Sequence, residues 1–398
     1  MYKLTHITDK IYYVGVNDRQ KALFENLWPL PYGVSYNSYL IADEKTALVD
    51  TVDICYSDLF FKRISEILDG RPLDYLIVNH MEPDHAGSIR LLRELYPQVQ
   101  IVGNAKTFGM LEGYHGIAAG LHEAKEGDVL DLGHHKLTFY TAPMVHWPEV
   151  MFTYDTTEKV LFSADAFGTF GTLDGAVLDS DMDTSRYWGE MERYYSNIVG
   201  KYGSPVQRAL QKLSGVEIKT ICSTHGPVWR EQIDRAVSVY DRFSRYEGEH
   251  GVVIAYGSMY GNTEQMAEAI ASELGANGIR NIVMHNVSRS HASYVLRDIF
   301  KYKGVIIGSP TYSNSLFPEI GSLLSKIEIR EVKNRLFGCF GSFTWSGAAV
   351  RNLNAFCEKM KWEPVGTPVE EKQALKEEKY QACLALGKAM ADRLNGIG

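Results

Sequence analysis

The first half of the chain carries many short apolar runs of strand length and few long helical patterns. The runs lie at residues 11–14, 34–40, 46–49, 75–78, 137–140, 160–162 and 218–222. At residues 88–96 the apolar positions instead recur every three or four residues, which is the pattern of a helix with one buried face. Strands of uneven spacing with helices between them predict packed sheets with helices outside.

The pattern changes near residues 247–251, after which strands and helices alternate regularly. We predict strands at residues 252–256, 281–287, 304–308 and 335–340, and helices at residues 263–274, 292–302, 317–327, 347–360 and 370–394. Such alternation predicts a doubly wound parallel sheet with helices on both faces. Because 398 residues also exceed one ordinary core, we predict two domains, residues 1–248 and residues 249–398.

The composition limits which cellular compartment and which binding partners we expect for this chain. Hydrophobic residues make up 45% of the chain, charged residues 23%, and the net charge is −8. A negative balance without a basic run does not favour nucleic acid. No apolar run approaches the ~20 residues that cross a bilayer, and the polar first residues lack the apolar core of a signal peptide. We therefore expect a cytoplasmic protein that binds neither nucleic acid nor membrane.

Five scattered cysteines include no Cys-x-x-Cys pair: Cys55, Cys222, Cys339, Cys357 and Cys383. An odd number without a pairing pattern fits reduced thiols in a cytoplasm better than a disulfide framework. Because the cysteines are scattered, they do not provide the set of ligands that a rubredoxin-type or iron–sulfur centre needs. We expect these side chains to act as small buried hydrophobic groups.

Seven imidazole and carboxylate side chains follow strand-like runs: His80, Glu82, Asp84, His85, His146, Asp165 and His225. Strand ends on one edge of a sheet converge, so donors distant in sequence can share one pocket. In an extended loop, positions 80, 82 and 84 would point to one side, and His85 could turn back toward the same cavity. A mixture of imidazoles and carboxylates suits iron, whereas zinc would leave electron-transfer chemistry impossible. We expect a two-metal site that favours iron.

Other polar residues near these runs have less specific roles. Asp50, at the end of the run at residues 46–49, either orients a ligand or loop of the metal site or caps a turn, and both alternatives stay open. Trp28 and Trp147 are candidates for the wall of the pocket. The remaining histidines have no such company and are expected to be structural or exposed: His6, His115, His122, His134, His135, His250, His285 and His291.

Three loops at the carboxyl ends of predicted strands form a candidate site for a phosphate and a flat ring. The first, residues 257–264, enters a helix whose free N–H groups and dipole favour an anion. It contains neither Gly-Lys-Ser/Thr nor Gly-x-Gly-x-x-Gly. Tyr312 and Trp345, in the two later loops, can stack on a tricyclic ring at the sheet edge where open α/β sheets bind ligands. The candidate contacts are Ser258, Met259, Tyr260, Gly261, Asn262, Thr263, Pro310, Thr311, Tyr312, Ser313, Asn314, Ser342, Phe343, Thr344, Trp345, Ser346 and Gly347.

These patterns resemble a known family over essentially the whole chain. His-x-Glu-x-Asp-His with a later His, Asp and His-Gly resembles the metallo-β-lactamase fold, whose hydrolases usually have His where this chain has Glu82. With Glu there, the pattern resembles flavodiiron proteins, also called A-type flavoproteins. The phosphate loop resembles the FMN loop of flavodoxin, although Tyr260 stands where flavodoxins often have Ser or Thr. The implied fold class is α/β and α+β in two domains, an N-terminal metallo-β-lactamase-like αββα sandwich and a C-terminal flavodoxin-like doubly wound parallel sheet.

The resemblance also implies residue roles. One iron is expected on His80, Glu82 and His146, the other on Asp84 and His225, with Asp165 bridging them. His85 matches a residue that ligates in some members and swings away in others. The implied activity is reduction of dioxygen to water or of nitric oxide to nitrous oxide, with electrons relayed through FMN from an external donor such as rubredoxin. A head-to-tail homodimer, or a dimer of such dimers, would place the FMN of one subunit beside the irons of its partner.

Two functions of other classes remain open at this stage. One is a zinc-dependent hydrolase of the lactamase fold that carries a flavodoxin module. The other is a flavin electron carrier without turnover. Iron with a yellow flavin would favour the oxidoreductase, and a colourless zinc protein would favour the hydrolase. The preference between dioxygen and nitric oxide, the physiological donor and the ligation by His85 are open as well.

Overall fold

The computed structural model describes residues 5–397. Its chain separates into two compact units between Asp241 and Arg242. This division falls slightly before the predicted domain boundary, which stays a prediction. Among the described residues, no helix combines the length and the apolar character needed to cross a membrane.

The first unit is built from short strands in two sheets. One sheet has the order β1-β2-β7-β8-β9-β10-β11 and the other β12-β13-β14-β15-β16, while β3 pairs with β6 and β4 with β5. The strands are β1 (Thr5–His6), β2 (Ile11–Tyr13), β3 (Val16–Asp18), β4 (Leu23–Phe24), β5 (Trp28–Pro29), β6 (Val34–Tyr36), β7 (Tyr39–Ala42), β8 (Thr46–Val49), β9 (Tyr75–Ile77), β10 (Gln100–Gly103), β11 (Leu121–Glu123), β12 (Val129–Asp131), β13 (Lys136–Thr141), β14 (Met151–Asp155), β15 (Val160–Phe162) and β16 (Thr220–Cys222).

The two sheets enclose the core of this unit. Ile41, Val49 and Ile77 of the first sheet cluster with Phe139 and Phe162 of the second, and all five are buried. This arrangement is the predicted lactamase-like sandwich. The helices are α1 (Ser57–Leu68), α2 (Pro83–Ala86), α3 (Ile89–Leu95), α4 (Ala105–His115), α5 (Ser185–Tyr194), α6 (Gly203–Leu213) and α7 (Ile233–Ser244), with 3₁₀ turns at Ile54–Tyr56 and Asp179–Asp181 and a π-helical turn at Tyr195–Val199. The division between the two units falls within the last turn of α7.

The second unit is a parallel sheet in the order β18-β17-β19-β21-β22. Counted along the chain this is the 2-1-3-4-5 order of flavodoxin-like sheets, as predicted. Its strands are β17 (Glu249–Tyr256), β18 (Ile282–Asn286), β19 (Tyr302–Tyr312), β20 (Ser315–Leu316), β21 (Leu336–Phe343), β22 (Glu363–Pro364) and β23 (Val369–Lys372). Its helices are α8 (Asn262–Ala276), α9 (Ala292–Lys301), α10 (Pro318–Ile329), α11 (Ala349–Met360) and α12 (Glu377–Asn395).

The last predicted helix, residues 370–394, is wrong at its start. Residues Val369–Lys372 form β23, which runs parallel to β21, and α12 begins only at Glu377. Glu371 is buried, and its carboxylate accepts the backbone N–H of Lys376 at 3.0 Å and contacts the Lys376 ammonium at 2.8 Å. Because these hydrogen bonds satisfy it, the carboxylate can occupy an inward position of the strand. In the sequence alone, a glutamate at such a position looks like a residue on the polar face of a helix.

Candidate metal centre and flavin pocket

The structure brings all seven predicted metal-binding side chains together in the first unit. His80 and Glu82 follow β9, Asp84 and His85 lie in α2, His146 lies in the turn between β13 and β14, Asp165 follows β15, and His225 follows β16. They form two groups whose potential ligand atoms lie within 4.8 Å of one another. The first group is His80, Glu82, His146 and Asp165, and the second is Asp84, His85 and His225.

In the first group, two imidazoles lie close to one oxygen of Asp165 and one oxygen of Glu82. Nε2 of His146 lies 3.1 Å from Oδ2 of Asp165 and 3.1 Å from Oε2 of Glu82. Nε2 of His80 lies 3.4 Å from each of these oxygens. Two imidazole nitrogens and two carboxylate oxygens therefore face a common point.

The second group is arranged around Asp84 and the other oxygen of Asp165. Nε2 of His85 and Nε2 of His225 each lie 3.3 Å from Oδ2 of Asp84. Oδ1 of Asp165 lies 3.1 Å from Nε2 of His85 and 3.7 Å from Nε2 of His225. Asp165 is fully buried and directs one carboxylate oxygen at each group, which is the geometry of a bridging ligand.

The predicted alternation of positions 80, 82 and 84 on one side of an extended loop is wrong for Asp84. Pro83 begins the short helix α2, with Glu82 as its N-cap residue. Proline is favoured at the first helical position because its missing N–H has no partner there in any case. The helical turn carries Asp84 and His85 away from Glu82, so the six-residue motif supplies both groups.

Surrounding residues hold several of these side chains from behind. Nδ1 of His80 lies 2.9 Å from Oε1 of Glu149, and Nδ1 of His225 lies 2.7 Å from the carbonyl oxygen of Ser35. Thr224 donates its hydroxyl to Oδ1 of Asp165. Sequence reasoning missed Glu149, because nothing in its neighbourhood distinguishes it from other loop carboxylates.

Asp50 orients the loop that carries the first ligands. Its Oδ1 accepts the backbone N–H groups of Asn79 at 2.8 Å and His80 at 3.3 Å. The structure thus favours the loop-orienting alternative over a simple turn cap.

Several buried polar atoms in the two groups have no hydrogen-bond partner within the described part of the chain. They are Nε2 of His80, both carboxylate oxygens of Asp84 and Nδ1 of His85. Oδ2 of Asp84 has two imidazole nitrogens 3.3 Å away but accepts no hydrogen bond from the described residues, which is costly for a buried carboxylate and would be satisfied by metal coordination. The oxygen and nitrogen donor set also suits iron. The residues present therefore fit a pair of metal ions.

Imidazoles and carboxylates in the two groups stabilise each other's charged forms. Burial alone would lower the pKa of His85, yet the carboxylates of Asp84 and Asp165 outweigh it and raise this pKa to about 9. Burial likewise opposes protonation of His146, but hydrogen bonds with Asp165 and Glu82 raise its pKa to about 9. Without metal, these imidazoles hold protons at neutral pH and serve as counterions to the carboxylates.

The metal-free protein should therefore be most stable on the mildly acid side of neutrality. An unfolded histidine titrates near 6.5, so the two imidazolium contacts stabilise the fold fully below about pH 6.5 and are lost as pH rises through about 9. Metal binding requires neutral imidazoles, so the metal-loaded protein should gain stability over the same range. Urea unfolding of both forms between about pH 6 and 9.5 measures this. A midpoint that rises with pH in the metal-free form would contradict it.

Aromatic rings surround the two groups. The rings of Phe24, Tyr36 and Tyr194 lie 5.4, 6.0 and 5.4 Å from the ring of His225. Trp147, a predicted wall residue, lies edge-on to His80 at 5.4 Å. Trp28, the other candidate, is buried and donates its Nε1–H to Glu25 at 3.0 Å. Phe24, Tyr36, Tyr194 and Trp147 thus cover the groups on the sides that they contact, and the wall role of Trp28 stays a prediction.

The eight remaining histidines lie outside both groups, as expected. Two of them are buried and paired with carboxylates, His135 with Asp155 at 2.9 Å and His285 with Asp298 at 2.8 Å. The other six are exposed or half-buried.

In the second unit, the three predicted loops line one pocket of about 430 Å³. Fifteen of the seventeen predicted contacts line it, and Gly261 and Gly347 do not. Gly261 instead precedes α8 directly, and its φ of +94° and the hydrogen bond that its N–H donates to Oγ of Ser258 shape the turn into this helix. Gln373, just after β23, also lines the pocket and was missed because that segment was predicted to be helical.

The pocket presents free aromatic surface beside small polar groups. The side chains of Trp345 and Tyr260 are 84% and 93% exposed, and Tyr312 is 47% exposed, so each has surface available to a ligand. The hydroxyls of Thr263 and Ser342 are 2.9 Å apart at its floor. This combination suits a flat ring that carries a phosphate chain.

Two family models match the chain. The model described as ODP family beta lactamase matches residues 34–226, and the model described as Flavodoxin matches residues 254–387. The first range contains all seven side chains of the metal groups, and the second contains the three loops of the flavin pocket.

Full-length relatives show the same combination. Nitric oxide reductase of Moorella thermoacetica is 34% identical over 393 residues, with 98% of each chain covered. Rubredoxin oxygen:oxidoreductase from Desulfovibrio gigas has a TM-score of 0.94 at 30% identity and 99% coverage of both chains. The flavodiiron protein of Giardia intestinalis has a TM-score of 0.94 at 27% identity, covering 100% of this chain and 98% of its own. The chain therefore belongs to the flavodiiron proteins, oxidoreductases whose cofactors are FMN in the flavodoxin-like domain and a di-iron centre in the lactamase-like domain.

Proposed function

We propose that this protein reduces nitric oxide to nitrous oxide and dioxygen to water, with electrons that reach the iron site through FMN. One observation carries the proposal. The two carboxylate oxygens of the buried Asp165 face two separate donor groups, as a bridge between two metal ions requires. The named activities of relatives that match nearly the whole chain support the same reaction class.

The ligand assignment follows the two groups. His80, Glu82 and His146 would hold one iron, Asp84 and His225 the other, and Asp165 would bridge them. His85 would complete the second set, because its Nε2 lies 3.1 Å from Asp165 and 3.3 Å from Asp84.

The bound irons would supply electrons to the small diatomic substrate. The protein's own residues set the conditions for this chemistry. The carboxylates of Glu82, Asp84 and Asp165 neutralise cationic charge and favour an oxidised, more positive metal pair. The aromatic rings around His225 and His80 keep water away, which strengthens each electrostatic contact.

Electron supply should come from a separate donor and pass between subunits. We propose a rubredoxin-type donor, as the name of the Desulfovibrio gigas relative suggests. The largely exposed Trp345 and Tyr260 offer apolar surface around the flavin pocket, which supports its coverage by a partner subunit in a head-to-tail dimer or a dimer of dimers. The five free cysteines, four of them buried, suit a reducing cytoplasm.

The decisive experiment is an anaerobic preparation analysed for metal and flavin, followed by gas consumption with a reduced rubredoxin. We expect two irons and one FMN per chain, consumption of nitric oxide with nitrous oxide as product, and consumption of dioxygen. A colourless preparation with stoichiometric zinc and hydrolytic activity would contradict the proposal. Light scattering across a dilution series tests the dimer, because monomers with full donor-linked turnover would exclude electron transfer between subunits.

A further inference from the structure

Glu149 distinguishes the two halves of the metal site. Its side chain is fully buried, and Oε1 lies 2.9 Å from Nδ1 of His80 and accepts the backbone N–H of Met81 at 2.9 Å. Its other oxygen, Oε2, is buried without a partner among the described residues. The His80 imidazole is therefore the only side chain among the described residues to which this buried carboxylate is hydrogen-bonded.

The histidines of the second group lack an equivalent charge behind them. Nδ1 of His225 meets a neutral carbonyl oxygen, that of Ser35, at 2.7 Å. Nδ1 of His85 is buried and has no hydrogen-bond partner in the described part of the chain. Nδ1 thus faces a carboxylate in His80, a carbonyl oxygen in His225 and no hydrogen-bond partner in His85.

The partner of Nδ1 affects how strongly Nε2 of the same ring binds a metal. A carboxylate that accepts a hydrogen bond from one imidazole nitrogen fixes the proton on that nitrogen, orients the ring and makes the other nitrogen a stronger donor to a metal. Here the proton is fixed on Nδ1 of His80, and Nε2 is left to face Glu82 and Asp165 at 3.4 Å. The charge of Glu149 also lies in direct contact with that half of the site, so its effect there is the larger.

We propose that Glu149 is a positioning residue that makes the His80, Glu82 and His146 position the tighter of two unequal metal positions. The inference rests on the proposed function, since it presumes that both groups bind metal. Glu149 itself touches no metal position, and it acts through the orientation and donor strength of His80.

The test is equilibrium dialysis of the metal-free, flavin-loaded full chain against Co(II) at stepped free concentrations, with bound metal measured by elemental analysis. The wild type should bind two equivalents in separate steps. Glu149→Gln keeps an oxygen that accepts the same hydrogen bonds but removes the charge. It should weaken the tighter equivalent by about 10- to 100-fold and leave the other within about 3-fold. Glu149→Ala, which also removes the hydrogen bonds, should weaken the same equivalent further.

Asp155 provides a matched control. It is a buried carboxylate that pairs with Nδ1 of a buried histidine, His135, at 2.9 Å, but neither belongs to the metal groups. Asp155→Asn should lower thermal stability and leave both Co(II) equivalents unchanged. Equal weakening of both equivalents in Glu149→Gln, or no weakening, would overturn the inference while two-metal binding by the wild type still supported the proposed function. A wild type that binds fewer than two equivalents would overturn both.

Discussion

Replacement of Asp165 by asparagine should remove most of the bound iron and reduce nitric oxide consumption by more than about 100-fold. Loss of a residue that only supports a ligand costs about 10- to 100-fold in metal affinity, and a ligand shared by two ions should cost more. Asparagine has a similar shape, but it offers one oxygen instead of two and carries no charge. One of its ends would present an N–H₂ group to a cation. Iron per chain and gas consumption should therefore fall together.

Asp179→Asn is a control that distinguishes the loss of a bridging metal ligand from the loss of any buried carboxylate in this unit. Asp179 is buried in the same unit and accepts the backbone N–H groups of Arg230 and Gln232 at 2.9 and 2.8 Å. Asp179→Asn should lower the urea midpoint but retain both irons. If Asp165→Asn kept two irons and a tenth or more of wild-type turnover, Asp165 would not be the bridge.

The sequence predicted the positions of the metal groups because their donors lie in the segments that follow strands revealed by the apolar pattern. His225 follows β16, and Asp165 follows β15, and both strands are short and fully buried. The order of donors then resembled one family closely. The division into two groups was implied by the family resemblance and not by the apolar pattern, since it depends on the helical turn that Pro83 begins. The preference of proline for the first helical position was a usable signal for this turn.

Other parts of the site could not be read from the sequence. Glu149 contacts His80 across 69 positions, and no periodicity or spacing links a single carboxylate to a distant imidazole. Gln373 was missed for a different reason. The segment before it, Val369–Lys372, has two adjacent glutamates that fit a polar helix, and its strand conformation depends on pairing with β21. Tertiary pairing commonly overrides weak local preference in strands.

The two units also differ in how their sites are prepared. Asp165 and His80 are fully buried and already face the other donors, so the metal groups are arranged by packing before any ion binds. In the flavin pocket, Trp345 and Tyr260 expose most of their surface. We therefore expect substitutions in the metal groups to affect stability and function together. Substitutions at the pocket rim should affect ligand binding alone.

Replacement of Trp345 by alanine should weaken FMN binding by about 5- to 150-fold without destabilising the second unit. Stacking of a flat heterocycle on an aromatic side chain contributes about 1–3 kcal/mol, which corresponds to that range. The side chain is 84% exposed, so its removal leaves no cavity, and the free energy of unfolding should change by less than about 0.5 kcal/mol. Recovery of free-flavin fluorescence on dilution measures the dissociation constant, and urea unfolding measures the stability.

Two comparisons make the Trp345 result specific. Trp345→Phe keeps an aromatic face and should recover most of the affinity, whereas a general loss of loop structure would not be rescued in this way. Iron content should be unchanged in both variants, because the residues of the metal groups lie in the other unit. FMN retained by Trp345→Ala as tightly as by the wild type would show that the ring does not stack on this side chain. The exposed indole would then serve contact with another protein rather than the flavin.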